Sequence, residues 1–213
     1  MNGQLLLYRT VRAIIAGFSR VFWRLTIEGR EHIPTDEPFV LAPVHRSNVD
    51  FALASTLTRR RLRFMGKDTL WKIGLLGKLW TALGAYPVHR GTADREALRR
   101  TIEVIEAGEP VVIFPEGTRQ EGPTVQPLFE GAAYVATRTG DPIVPVGIGG
   151  SQRAMPRGSK VLRPVKIHVI VGPVLRAKPP EEGKRASRRS VHELTGQLHA
   201  ELQQLFDRAQ ARA

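Results

Sequence analysis

The chain has 213 residues, 42% hydrophobic and 24% charged, enough for one domain with a core of its own. It has no cysteine, which excludes disulfides, thiolate catalysis and cysteine-ligated metals; its six histidines form no tight ligand cluster, so a metal site is not expected. A net charge of +12 and a pI of about 10.9 point to anionic partners: nucleic acid, an anionic membrane surface or phosphorylated substrates. Residues 1–90 hold 14 Lys/Arg against 6 Asp/Glu, two-thirds of the net charge, so the N-terminal part is the expected face toward such a partner.

Residues 5–25 fit one amphipathic helix. Leu7, Val11, Ile14, Ile15, Phe18, Val21, Phe22 and Leu25 share one side, Arg9 and Arg20 fall opposite, and Arg12 and Arg24 lie on the flanks. Four arginines argue against a transmembrane span, which needs about 20 mostly apolar residues. No uninterrupted apolar stretch leads to a small-residue cleavage site, as a signal peptide would require. The pattern fits a helix lying in a lipid interface, or one packed on the protein's own core. Leu25 to Gly29 alternates as a short strand, and Ile33 to Pro38 is a polar, proline-bounded loop.

Phe39 to Ala42 is an apolar run of strand length. A helix follows from Phe51, with Ser47 or Asn48 as its N-cap, and runs out at Arg59-Arg60-Arg61. Leu62 to Met65 reads as a strand. Residues 67–86 are apolar, carry Trp71 and Trp80 and are edged by lysines, which suits either a second membrane-contacting segment or a buried helical hairpin. Tyr86 to Gly91 closes a strand, and Thr92 caps a helix from Ala93 to Ala107 that Gly108 ends. Pro110 to Phe114 suits a buried parallel strand, and residues 127–139 form a helix with small residues. In the strand Ile143 to Ile148, Pro145 suggests an edge or a bulge. Residues 165–171 alternate as a half-exposed strand. A charged connector, 176–189, leads to a last amphipathic helix from about Ser190 to Ala209.

Strands alternating with helices give the α/β class: a single domain whose mixed, largely parallel central sheet is flanked by helices. Three segments are expected: an N-terminal amphipathic membrane-docking helix (1–25), the α/β domain (26–175), and the connector with the C-terminal helix (176–213).

His45 and Asp50 flank the connection from strand to helix. If the turn folds back, the carboxylate holds one ring nitrogen while the other faces a substrate, giving a general base and its orienter with no protein nucleophile. The same pair also reads as a loop histidine and an acid favouring the helix dipole. Two more stretches stand at strand ends: Val88 to Gly91, with Arg90, and Phe114 to Arg119, with Glu116, Gly117, Thr118 and Arg119. Sites in α/β sheets gather at the carboxyl ends of strands. Two arginines and the amides around Gly117 suit a phosphate monoester. Taken singly, Arg90 also reads as a surface charge and Pro115-Glu116-Gly117 as a turn.

In this order the stretches resemble the four blocks of the glycerolipid acyltransferase family, the lysophosphatidate acyltransferases in particular, over residues 25–175. His45-Arg46-Ser47-Asn48-Val49-Asp50 matches His-x-x-x-x-Asp. Gly84 to Arg90 matches the arginine block, although the position before the arginine, often acidic in that family, is His89. Phe114 to Arg119 matches Phe-Pro-Glu-Gly-Thr-Arg without a change, and Val144-Pro145-Val146 matches a Val-Pro strand.

The resemblance implies acyl transfer from acyl-CoA or acyl-acyl carrier protein to the free hydroxyl of a lysophosphatidate (1-acyl-sn-glycerol 3-phosphate), giving phosphatidate for phospholipid synthesis. Glycerol 3-phosphate, another lysophospholipid or a glycolipid are alternative acceptors. His45 is then the base and Asp50 its partner. Arg90, Glu116, Gly117, Thr118 and Arg119 bind substrate: the arginines hold the phosphate, Glu116 meets a glycerol hydroxyl or orients an arginine, and an amide near Gly117 steadies the oxyanion. The expected location is peripheral, on the cytoplasmic face of the cell membrane. A basic nucleic-acid-binding α/β protein is the reading outside this class. It rests on charge alone, with no aromatic-rich surface or zinc-finger pattern, so no nucleic-acid partner is expected.

Overall fold

The sheet decides where everything else lies. The computed structural model describes residues 3–72, 74–88, 95–177 and 187–213. Its strands are β1 (Thr26–Glu28), β2 (Val40–Pro43), β3 (Arg63–Lys67), β4 (Ala85–Val88), β5 (Val111–Val112), β6 (Ile143–Gly149) and β7 (His168–Val171). They form one sheet in the order β1-β7-β6-β2-β5-β3-β4. Every junction is parallel except β6 with β7. The α/β class and the mostly parallel sheet are thus as the alternating pattern implied. Strands β2 to β6 run the same way, so their carboxyl ends share one rim, where the connections to the next elements begin.

The helices are α1 (Gly3–Phe22), α2 (Asp50–Ser55), α3 (Gly74–Ala82), α4 (Arg95–Glu106), α5 (Gly131–Thr139), α6 (Ser151–Ala154) and α7 (Arg188–Arg212). Helix α7 starts at Ser187, whose hydroxyl accepts from Ser190 N, and lays Leu194, Leu198, Leu202 and Phe206 into the main core. Its closeness to β6 depends on two glycines. A Cβ at Gly147 would sit 2.4 Å from the Leu205 carbonyl group, and one at Gly149 2.1 Å from Ala209 O. The C-terminal helix is therefore part of the same core as the sheet. Helix α1 packs instead on α2 and α3.

Several elements differ from expectation. Helix α1 stops at Phe22, three residues early, because Arg24 takes a left-handed φ of 45° and both Trp23 N and Leu25 N donate to Ser19 O, closing the helix end. Its apolar face is largely open: Leu7, Ile14, Phe18 and Val21 are exposed, while Tyr8 and Ser19 are buried. Arg12 turns inward and donates to Thr58 O at 2.5 Å and to Thr56 O at 3.3 Å. These carbonyls follow the end of α2, which needs donors, and Arg30 donates to Thr56 O as well.

Helix α2 ends at Ser55 and not at the arginines. The Ser55 and Thr56 hydroxyls donate to Ala52 O and Leu53 O, competing with continuation of the helix. Its N-cap is Val49 with no side-chain bond, not Ser47 or Asn48. Pro145 lies in an interior strand, between β2 and β7, so the edge alternative fails. The missing N–H faces β7: Gly172 N donates to Pro145 O without a return bond, and the pairing slips by one residue between Ile143↔Leu175 and Val146↔Val171. Strand β7 is buried at all four residues, not half-exposed, because it lies inside the sheet with α7 across it and His168 is held by the Thr26 hydroxyl. The expected Thr92 cap and most of the charged connector fall outside the described residues.

Candidate active site

Strand β2 ends at Pro43, and the chain turns sharply before α2. The turn is organised by Asp50, which is fully buried. Its Oδ2 accepts from Arg46 N and Ser47 N, both at 2.7 Å, and faces His45 Nδ1 at 3.0 Å. A carboxylate can only accept here, so Nδ1 carries a ring proton, and it is Nε2 that presents a lone pair whenever the ring is neutral. Nε2 makes no hydrogen bond to a described residue. The ring packs against Phe114, centroids 4.1 Å apart, and meets Phe51 edge-to-face at 5.4 Å, the two phenyl rings themselves touching at 4.6 Å. The turn thus folds back so that Asp50 holds one nitrogen of the His45 ring.

Strand β5 is the sheet neighbour of β2, which puts Phe114 to Arg119 against the same turn. Glu116 is buried, and its carboxylate is fully engaged by protein donors. It accepts from His45 N at 3.0 Å, from Arg46 Nη1 at 2.7 and 2.8 Å, and from Gln126 N at 3.1 Å. In this state it has no oxygen left for a glycerol hydroxyl. It orients an arginine, and among the described residues that arginine is Arg46, not Arg119. Arg46 also donates to His45 O and Thr124 O and lies over the Phe206 ring at 4.7 Å. It is 2% exposed and heads the largest fully buried side chains. Sequence reasoning missed it; the available signal was a cation inside one motif with a carboxylate inside the other.

Two of the amides around Gly117 are occupied. Gly117 N donates to Phe114 O and Thr118 N to Glu116 O, because the tight turn consumes its own donors. Gly117 has a φ of 71°, and an added Cβ would meet the Phe129 ring at 2.6 Å. Thr118 is exposed, and Arg119 is half-buried with no ion pair to a described residue. Arg90 lies outside the described residues. Among the described residues no cluster of His, Asp and Glu could hold a metal ion.

One apolar cavity of about 630 Å³ opens beside this turn. Tyr8, Arg12 and Ile15 of α1, Phe51 and Ala52 of α2, and Trp80 of α3 line it. Phe51 touches both the cavity and the His45 ring, so the two share a wall.

A family model described as Acyltransferase matches residues 24–149. The chloroplastic 1-acyl-sn-glycerol-3-phosphate acyltransferase of Brassica napus is 30% identical over 154 residues, which are 70% of this chain and 44% of that protein. The 1-acyl-sn-glycerol-3-phosphate acyltransferase of Bacillus subtilis is 26% identical over 185 residues, 84% of this chain and 90% of that one. The chain thus spans less than half the length of the plant protein. The crystal structure of the 1-acyl-sn-glycerophosphate acyltransferase PlsC from Thermotoga maritima superposes over all of this chain and 85% of its own, with a TM-score of 0.78 at 24% identity, which shows a shared fold. The family match runs from just beyond α1 to the end of β6 and takes in both halves of the His45–Glu116 site: this chain belongs to the acyltransferase family.

Proposed function

We propose that this chain is a membrane-surface acyltransferase that moves an acyl group from acyl-CoA or acyl-acyl carrier protein to the free hydroxyl of 1-acyl-sn-glycerol 3-phosphate, giving phosphatidate. The carrying observation is the His45 ring, tethered at Nδ1 by Asp50 and packed against Phe51, which lines an apolar cavity. Family membership and the names of the relatives support the reaction class.

The thioester is already activated, so the protein has only to deprotonate an alcohol. Nε2 takes the hydroxyl proton as the oxygen attacks the thioester carbon, and Asp50 stabilises the imidazolium. The tetrahedral intermediate collapses by breaking the C–S bond, and the proton passes to the departing thiolate. Such a base contributes about 10²–10⁴ in rate. The Arg46–Glu116 pair holds the His45 main chain and so positions the base. Arg119, and Arg90 with it, supply charge for the acceptor phosphate. The donor chain occupies the cavity.

The site of action is the cytoplasmic face of an anionic cell membrane, bound peripherally. This reading draws on the exposed Leu7, Ile14, Phe18 and Val21 of α1, with exposed Arg9 and Arg20 on its other side, and on exposed Leu75, Leu79 and Trp80 of α3. No described helix is long and apolar enough to cross a membrane.

The test is release of free thiol from palmitoyl-CoA by purified protein on lipid vesicles, with lysophosphatidate, glycerol 3-phosphate and lysophosphatidylcholine as separate acceptors. Lysophosphatidate is expected to support release and lysophosphatidylcholine, which lacks the monoester, is not. The His45→Ala protein should stay folded and lose release by at least about 10². Full activity in that protein, or release indifferent to acceptor, would refute the assignment.

A further inference from the structure

Between Asp141 and Glu181 the chain carries no acidic residue. Arg153, Arg157, Lys160, Arg163 and Lys166 fall in this stretch, all exposed, and none makes an ion pair with a described residue. Amid these cations the loop after α6 presents two adjacent apolar side chains to solvent, Val161 at 67% and Leu162 at 39% exposure. A surface loop that only had to stay solvated would carry neither the apolar pair nor so unbalanced a charge.

The loop is held at its base and open at its tip. Arg163 N donates to Ala154 O, closing the base, and Ser159 N donates to Pro156 O in a turn at Gly158, φ 82°. Two bonds attach the base to the residue just beyond α1: Trp23 Nε1 donates to Arg163 O, and Ile167 N donates to Trp23 O. Val21, two residues before, is 81% exposed. A third bond joins the base to the catalytic turn, Ser47 Oγ donating to Met155 O at 2.8 Å.

We infer that residues 156–166 form a third lipid-contacting element, inserting Val161 and Leu162 into the headgroup region of an anionic bilayer while the flanking cations meet lipid phosphates. Charge complementarity and continuity with the end of α1 identify the occupant as a lipid surface. The inference rests on the membrane-surface reading above and adds an element to it. Through Met155 and Ser47, it makes the loop a strut between the bilayer and the turn that bears His45.

The absence of cysteine allows single-site labelling. Val161→Cys, Val21→Cys and, on the solvent face of α4, Glu106→Cys would each carry an environment-sensitive fluorophore and be mixed with vesicles of phosphatidylcholine containing phosphatidylglycerol. Blue-shifted emission at positions 161 and 21 but not at 106 supports the inference. A shift at 21 with none at 161 overturns it and leaves α1 docking standing, whereas silence at both overturns the membrane reading as well. In the unlabelled protein, Val161→Asp with Leu162→Asp should keep the melting temperature and weaken vesicle binding about tenfold. Unchanged vesicle binding in that variant refutes the loop's role.

Discussion

Removing the Arg46 guanidinium tests whether one buried ion pair joins the two halves of the site. Arg46→Met keeps most of the side-chain volume and leaves the Glu116 carboxylate buried with only two backbone donors, His45 N and Gln126 N. Breaking a buried pair by deleting one partner costs about 3–5 kcal/mol. The lost stacking on Phe206, at 4.7 Å, adds about 0.5–2 kcal/mol. For a chain of this size each kcal/mol lowers the melting temperature by about 2–4 °C, so a fall on the order of 7–28 °C is expected. Glu116→Leu should cost a similar amount by stranding the cation. The double variant should recover part of the loss, with a coupling of at least about 2 kcal/mol, since neither charge is then left alone. Urea denaturation of the four proteins, followed by circular dichroism, measures the cycle. If Arg46→Met lies within about 1 kcal/mol of the parent, or if the two losses simply add, the pair does not hold the site together.

His168 is 3% exposed, and its Nε2 is 3.2 Å from Glu28 Oε1 without alignment for a hydrogen bond. Burial pushes its pKa below the ordinary value, Glu28 opposes this, and Arg212 and Lys166 reinforce it. The unfolded chain therefore takes up this proton first. The contribution to stability is full above about pH 6.5 and is lost as pH falls toward the lower folded value. His168→Gln should flatten that part of the stability profile; equal slopes for parent and variant between about pH 7 and 5 would count against the reasoning. Ala52 lines the cavity, so Ala52→Phe should fill it and lower kcat/KM for palmitoyl-CoA about tenfold more than for octanoyl-CoA. Parallel losses for the two donors would place the acyl chain elsewhere.

Short-range pattern determined much of this protein. The apolar run from Phe39 to Ala42, the polar turn after it and the alternation of strands with helices are local properties, and they yielded the α/β class and the rim where His45 and Asp50 meet. That pair was legible because its partners lie five positions apart, within one turn. Helix ends were less legible: α1 is closed by Arg24 in a conformation usually left to glycine, and α2 by two hydroxyls turned back on the backbone. Only the tertiary structure decided that Glu116 is held by Arg46, 70 positions away, and does not face solvent. It also turned Arg12 inward to the end of α2, put Pro145 inside the sheet and buried α7 against β6. A sequence pattern fixes which face of an element is apolar or charged. What meets that face depends on strand order and on close approaches between distant segments, and no local window contains those.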